Sequence, residues 1–157
     1  MGAMRCSATG SLYTTRVRHP PMAGAIAAKG HQMGQPVVHF EIIGPDPGKL
    51  RSYYGELFGW QFDLGDAQTE SVSRSGEYGF VDGTANGNDI NGGVGGGDGY
   101  EARVLFYVGV PDVAAALERA EQLGGTRQLG PVGTPGELVV GRFADPQGNL
   151  IGVAGTE

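Results

Sequence analysis

The chain has 157 residues, 39% of them apolar, and a net charge of −6. That length suits one domain with a proper core, and the lack of any run of about 18 apolar residues excludes a membrane-crossing helix. Residues 1–35 carry Arg5, Arg16, Arg18 and Lys29 and no acid, a balance of +4, while residues 36–157 carry the other 7 basic and all 17 acidic residues, a balance of −10. An acidic domain repels a phosphate backbone, so nucleic acid is not an expected partner.

Residues 1–35 show no steady hydrophobic period and read as a leader, flexible or non-native. Met22 to Ala28 is too short and glycine-interrupted for a secretory signal, and no cleavage site follows it. Met33 would make a sensible start, three residues before the first strand. Cys6 is the single cysteine and cannot form an internal disulfide, which suits a reducing cytoplasm. His19 and His31 fall in the leader and receive no role.

The first element, about 36–43, reads as a strand. Side chains alternate across it, so Val38, Phe40 and Ile42 form a wholly apolar face that should lie on a helix layer. The other face carries Val37, His39, Glu41 and Ile43. An imidazole and a carboxylate two residues apart suit a strand face that lines a cavity. A helix follows over about 46–58, with Asp46 placed to cap it and Gly59 to stop it. Then come strands at Trp60 to Leu64, a hairpin of Glu70–Arg74 and Glu77–Asp82 turned at Ser75-Gly76, a loop, and a glycine-weakened strand from Ile90 to Val94. Gly95 to Gly99 has the composition of a linker.

The order then repeats. Pro111-Asp112 lies 66 positions after Pro45-Asp46, and Gly125 lies 66 after Gly59. The second copy predicts a strand over Ala102–Val110, a helix over Asp112–Leu123, then strands at Thr126–Leu129, Glu137–Phe143 and Leu150–Ala154. The expected fold is therefore α+β, with two βαβββ modules, 36–95 and 102–154, in a single domain of 36–154.

The residues His39-Phe40-Glu41-Ile42, Tyr53-Tyr54, Phe58-Gly59-Trp60, Pro111-Asp112-Val113 and Asp145-Pro146-Gln147-Gly148-Asn149 resemble the vicinal oxygen chelate superfamily. That group includes glyoxalase I, bleomycin-resistance proteins and extradiol dioxygenases, and within it the chain looks most like bacterial lactoylglutathione-lyase-related proteins. The resemblance implies a curved mixed-sheet cup and a homodimer. It also implies metal ligands on the first and last strands of each module. His39 matches one such position, but Leu105 and Gly152 stand at two others, and the fourth falls near Asn91, a weak amide ligand.

Three readings of His39 and Glu41 stay open: a cavity-wall histidine bonded to Glu41 or backbone, a metal-free acid/base pair, and an incomplete divalent-metal site with Asn91. No cofactor is expected, a divalent metal being the alternative. Tyr107 matches Glu41 by the offset and should point into the same cup. Glu137 could face the cup from the second module, and Arg103 or Arg142 could meet an anionic ligand. Tyr53, Tyr54 and Trp60 read as core or interface residues. No phosphate-cradling loop or nucleophile motif is present. The leading functional expectation is a small-molecule binding protein; the alternative is a lyase or isomerase using His39 and Glu41.

Overall fold

The computed structural model describes residues 34–85 and 90–157. Residues 1–33, with Cys6, His19 and His31, and residues 86–89, with the pair Gly87-Asn88, lie outside the described residues. In the first half, β1 (Val37–Gly44) leads to α1 (Pro47–Phe58), β2 (Asp63–Gly65), β3 (Tyr78–Val81) and β4 (Asn91–Gly96). In the second, β5 (Arg103–Gly109) leads to α2 (Val113–Gln122), β6 (Thr126–Gly133), β7 (Val139–Ala144) and β8 (Leu150–Gly155). The expected pair of βαβββ modules is present.

All eight strands form one open mixed sheet in the order β2-β3-β4-β1-β5-β8-β7-β6. Each module contributes the same sequence of neighbours, and the first strands β1 and β5 pair antiparallel at the centre. Within each module the first and last strands run parallel, β1 with β4 and β5 with β8. The modules thus pair within one chain.

Local chemistry accounts for the helices. The Asp46 carboxylate accepts Lys49 N–H at 2.9 Å, Pro47 occupies the first turn, and Gly59 ends α1 in the left-handed region at φ 72°. Asp112 does the same for α2, accepting Ala115 N–H at 2.9 Å. On the outer face, α2 buries Val113 and Leu117 against Val139 and Val153. On the inner face, Leu105, Tyr107 and Val140 pack together in the second module, and Ile43, Val72 and Tyr78 in the first.

Three expected elements are corrected. Trp60 does not begin a strand: its ring packs on Phe40, Tyr54 and Phe58, and β2 starts only at Asp63. Glu70–Arg74 forms no strand. Its backbone turns, Val72 N–H bonding Thr69 C=O at 3.0 Å, and Val72 and Ser73 are buried. Ser73 Oγ accepts Gly96 N–H at 3.0 Å, so a segment that alternates like a strand is held as a buried loop. Finally, Gly95 and Gly96 are not linker. They complete β4, a central strand whose missing side chains leave room for rings from its neighbours.

Candidate functional site

Alternation along the strands sets the inner face. His39 and Glu41 of β1, Tyr78 and Phe80 of β3, Asn91 of β4, Tyr107 of β5 and Val140 of β7 converge on a cavity of about 420 Å³. That volume lies in the range of small-molecule sites. A larger groove of about 670 Å³ lies on the outer side, between α1 and the start of β5, lined by residues such as Ile42, Leu50, Tyr53 and Val104. It carries none of the paired acid/base chemistry.

Four cup residues form two hydrogen-bonded pairs. His39 Nε2 and Tyr78 Oη are 2.8 Å apart. Tyr107 Oη donates to Glu41 Oε2 at 3.0 Å. Tyr78 also favours the charged form of Glu41, as the weakest of the influences on it. A phenol has one proton. When Tyr78 gives it to His39 Nε2, the imidazole proton sits on Nδ1; in the other tautomer the His39 Nε2–H donates to Tyr78. Glu41 and Tyr107 occupy repeat-equivalent positions, so their bond ties the two modules at the centre of the sheet.

Burial governs the protonation states. It lowers the His39 pKa from 6.5 to about 4, so the ring is neutral near pH 7 and can accept a proton. Burial raises the Glu41 pKa, opposed in turn by the Tyr107 hydrogen bond and by the positive charges of Arg142 and Arg103. Both phenols are pushed above their ordinary range, first by burial and then by the Glu41 charge. The arrangement offers a neutral base, a carboxyl that holds its proton more readily than usual, and phenolic donors that stay protonated.

The expected site residues fall into three groups. His39, Glu41, Asn91 and Tyr107 come together in the cavity. Asn91 is partly committed, its Oδ1 accepting Gly83 N–H at 3.0 Å. Arg142 lies at the cup's far end, 7% exposed. Glu137 does not join them. It sits exposed in the turn before β7, its N–H bonded to Thr134 C=O at 3.0 Å, and its neighbour Leu138 lines the cavity instead. Tyr78 and Phe80 are site residues that sequence reasoning misses. The signal for Tyr78 is its alternation with Phe80 in a run expected to be a strand, but which face points inward depends on a register that the glycine-rich partner strand conceals.

Among the described residues no three of His, Cys, Asp or Glu come together. Leu105 is buried in the apolar floor. The ring of Tyr107 lies over Gly152, where a side chain's Cβ would stand, and the phenol of Tyr78 lies likewise over Gly93. Tyrosines therefore fill the space on both last strands.

A model of the Glyoxalase/Bleomycin resistance protein/Dioxygenase superfamily matches residues 37–153. The chain belongs to that superfamily. A hypothetical protein of Bacillus halodurans C-125 superposes with a TM-score of 0.59 at 10% identity, over 80% of this chain and 96% of that one. Methylmalonyl-CoA epimerase of Mycobacterium tuberculosis gives 0.55 at 13% identity, over 81% and 94%. A Streptomyces coelicolor methylmalonyl-CoA epimerase variant bound to 2-nitronate-propionyl-CoA gives 0.57 at 12%, over 78% and 94%. At these identities the likeness is one of fold. No curated protein matches the chain significantly. Among the described residues no helix is long and apolar enough to cross a membrane.

Proposed function

We propose that this member of the superfamily binds a small organic molecule in a cup that works without a metal. The carrying observation is Tyr107: its ring covers Gly152, and its hydroxyl engages Glu41, so the space and the carboxylate that a metal would need are both taken by one tyrosine. Rings of Phe80, Tyr78 and Tyr107 around His39 favour a planar aromatic ligand or thiol conjugate. The test is a thermal-shift and NMR screen of such ligands, run with chelator and then with Zn, Ni, Mn, Fe and Co, alongside elemental analysis. Binding should persist in chelator and no single metal should raise Tm at stoichiometric amounts. Binding that vanishes in chelator and returns with one metal sinks the reading.

One observation favours a second reading, a lyase or isomerase. Glu41 is 6% exposed and shares the cavity with His39, a neutral histidine bonded to Tyr78. Two such groups facing one cavity can move a proton between two positions of one ligand. Deuterium incorporated from solvent next to a ligand carbonyl, and abolished by Glu41→Gln, would support catalysis. No exchange with any bound carbonyl compound would leave binding alone.

We also propose a homodimer. The free sheet edges are the short β2 and the irregular β6, so edge pairing is a weak route. The outer face is better suited: Val104 is 70% exposed, and Phe106, Tyr53, Leu57 and Phe58 stand exposed beside it. Val104→Arg should shift the sedimentation of the protein from dimer to monomer. A monomeric wild type removes the proposal.

A further inference from the structure

We infer that the cup holds a second subsite, between Arg103 and Arg142, for an anionic oxyacid group, a carboxylate or a phosphate. This rests on the binding reading above and names the chemistry of its ligand. Arg103 heads β5 and Arg142 sits in β7, both on the inner face. The two guanidiniums meet at one residue. Arg103 Nη2 donates to the Ser71 carbonyl at 2.9 Å, and Arg142 Nη2 donates to Ser71 Oγ at 2.8 Å. With Gln128 and Leu150 they wall a cavity of about 230 Å³.

The arrangement leaves positive charge and donors over. Among the described residues neither arginine forms an ion pair. The acid that feels both is Glu41, and its carboxylate is engaged by Tyr107. A guanidinium has five N–H donors, and each of these directs one at Ser71. Arg103 Nε is buried with no acceptor at all. Two like charges side by side repel, and an orphaned buried donor costs free energy. An oxyanion answers both, because its oxygens accept the planar donor forks and its charge cancels the surplus. The site concentrates cations in a domain whose residues 36–157 balance at −10. Arg142 is two residues from Val140 and Arg103 four from Tyr107, both walls of the larger cavity. A ligand whose body fills that cavity can place its anionic end here.

The first test follows the arginine Nε signals of the full chain by NMR while inorganic phosphate is added. The Arg103 and Arg142 signals should shift to saturation, while that of exposed Arg119 should not. Arg103→Gln should weaken phosphate binding about tenfold or more, the loss of one charge-assisted contact, and Arg103→Lys should restore part of it. Benzoate, phenyl phosphate and benzamide then separate the sources. Benzoate tightest means a carboxylate ligand, phenyl phosphate tightest a phosphate ligand, and each should exceed benzamide. Arginine signals that stay fixed, or that drift together with Arg119, overturn the subsite. If the cup binds a neutral ligand while both arginines stay silent, only the subsite falls. If phosphate saturates the pair while nothing fills the larger cavity, the subsite stands and the cup reading falls.

Discussion

The two modules repeat one plan with opposite fillings. In each, a glycine of the third strand lies beneath a helix residue at the same repeat position. In the second module Gly141 faces Leu117, whose Cδ1 would stand 2.7 Å from a Cβ placed there. In the first, Gly79 faces Arg51, whose Cδ would stand 2.5 Å away. Leu117 is wholly buried and anchors α2 in an apolar core. Arg51 instead lays its stem over the sheet and carries its charge out to Glu77, donating to its carbonyl at 2.6 Å. The difference reaches the inner face. The first module supplies His39, Glu41 and Tyr78, and the second supplies an apolar floor and the arginines. The first half gathers the proton-handling groups, and the second gathers the apolar floor and the cations. The first half also leaves the apolar side chains of α1 exposed.

Truncating the two equivalent helix residues sets these fillings against each other most directly. Leu117→Ala should cost about 3 kcal/mol in urea unfolding, because it removes transfer energy and leaves a cavity over Gly141. Arg51→Ala should cost about 1 kcal/mol or less, since it loses a packed stem and a partly exposed ion pair. Equal losses would mean that the first module's helix is as firmly held as the second's.

The bond between the modules comes next. Tyr107→Phe keeps the ring over Gly152 and removes the donor to Glu41. A buried carboxylate that loses a donor should cost roughly 2 kcal/mol at pH 7. The Glu41 pKa, already raised, should rise further, since this hydrogen bond is the first of the influences that lower it. A group whose folded pKa is raised lends stability below its unfolded value and loses it as pH rises. The Tyr107→Phe deficit should therefore shrink as pH falls toward the ordinary Glu range. A deficit independent of pH would show that Glu41 is not the partner that matters.

The repeat makes the fold legible in the chain itself. The 66-residue offset, the paired Pro-Asp caps and the glycine stops mark local events, and local events leave local signals. The site is half legible. His39 and Glu41 show as polar residues on an otherwise apolar strand, and the offset brings Tyr107 to Glu41. The rest depends on partners far along the chain. Tyr78 matters because it lies over Gly93, and Arg103 and Arg142 matter because Ser71 gathers them, 32 and 71 residues away. Loop 70–74 reads like a strand because Val72 alternates with polar neighbours, and only burial against the sheet end overrides that pattern. Glu137 reads as poised for the cup, but β7 begins two residues later, at Val139, and Leu138 and Val140 alternate toward the cavity while Glu137 stays in solvent.

The pH response of His39 sharpens the contrast from the chemical side. Its folded pKa is lowered to about 4 from 6.5, so between those values the unfolded chain binds the extra proton. Stability should therefore fall as pH drops through that window, the reverse of the Glu41 slope. Allowing for partial solvent screening, the loss from pH 7 to pH 5 should be roughly 1–2 kcal/mol. His39→Gln keeps a polar partner for Tyr78 and removes the titration. The gap between wild type and variant, measured by urea unfolding at several pH values, should narrow or reverse in favour of the variant as pH falls. In parallel, imidazole NMR signals of His39 should stay those of the neutral ring down to about pH 5. A ring that titrates near 6.5, with parallel stability curves, would place His39 in water rather than in the dry half of the cup, and the proton-handling role of the first module would go with it.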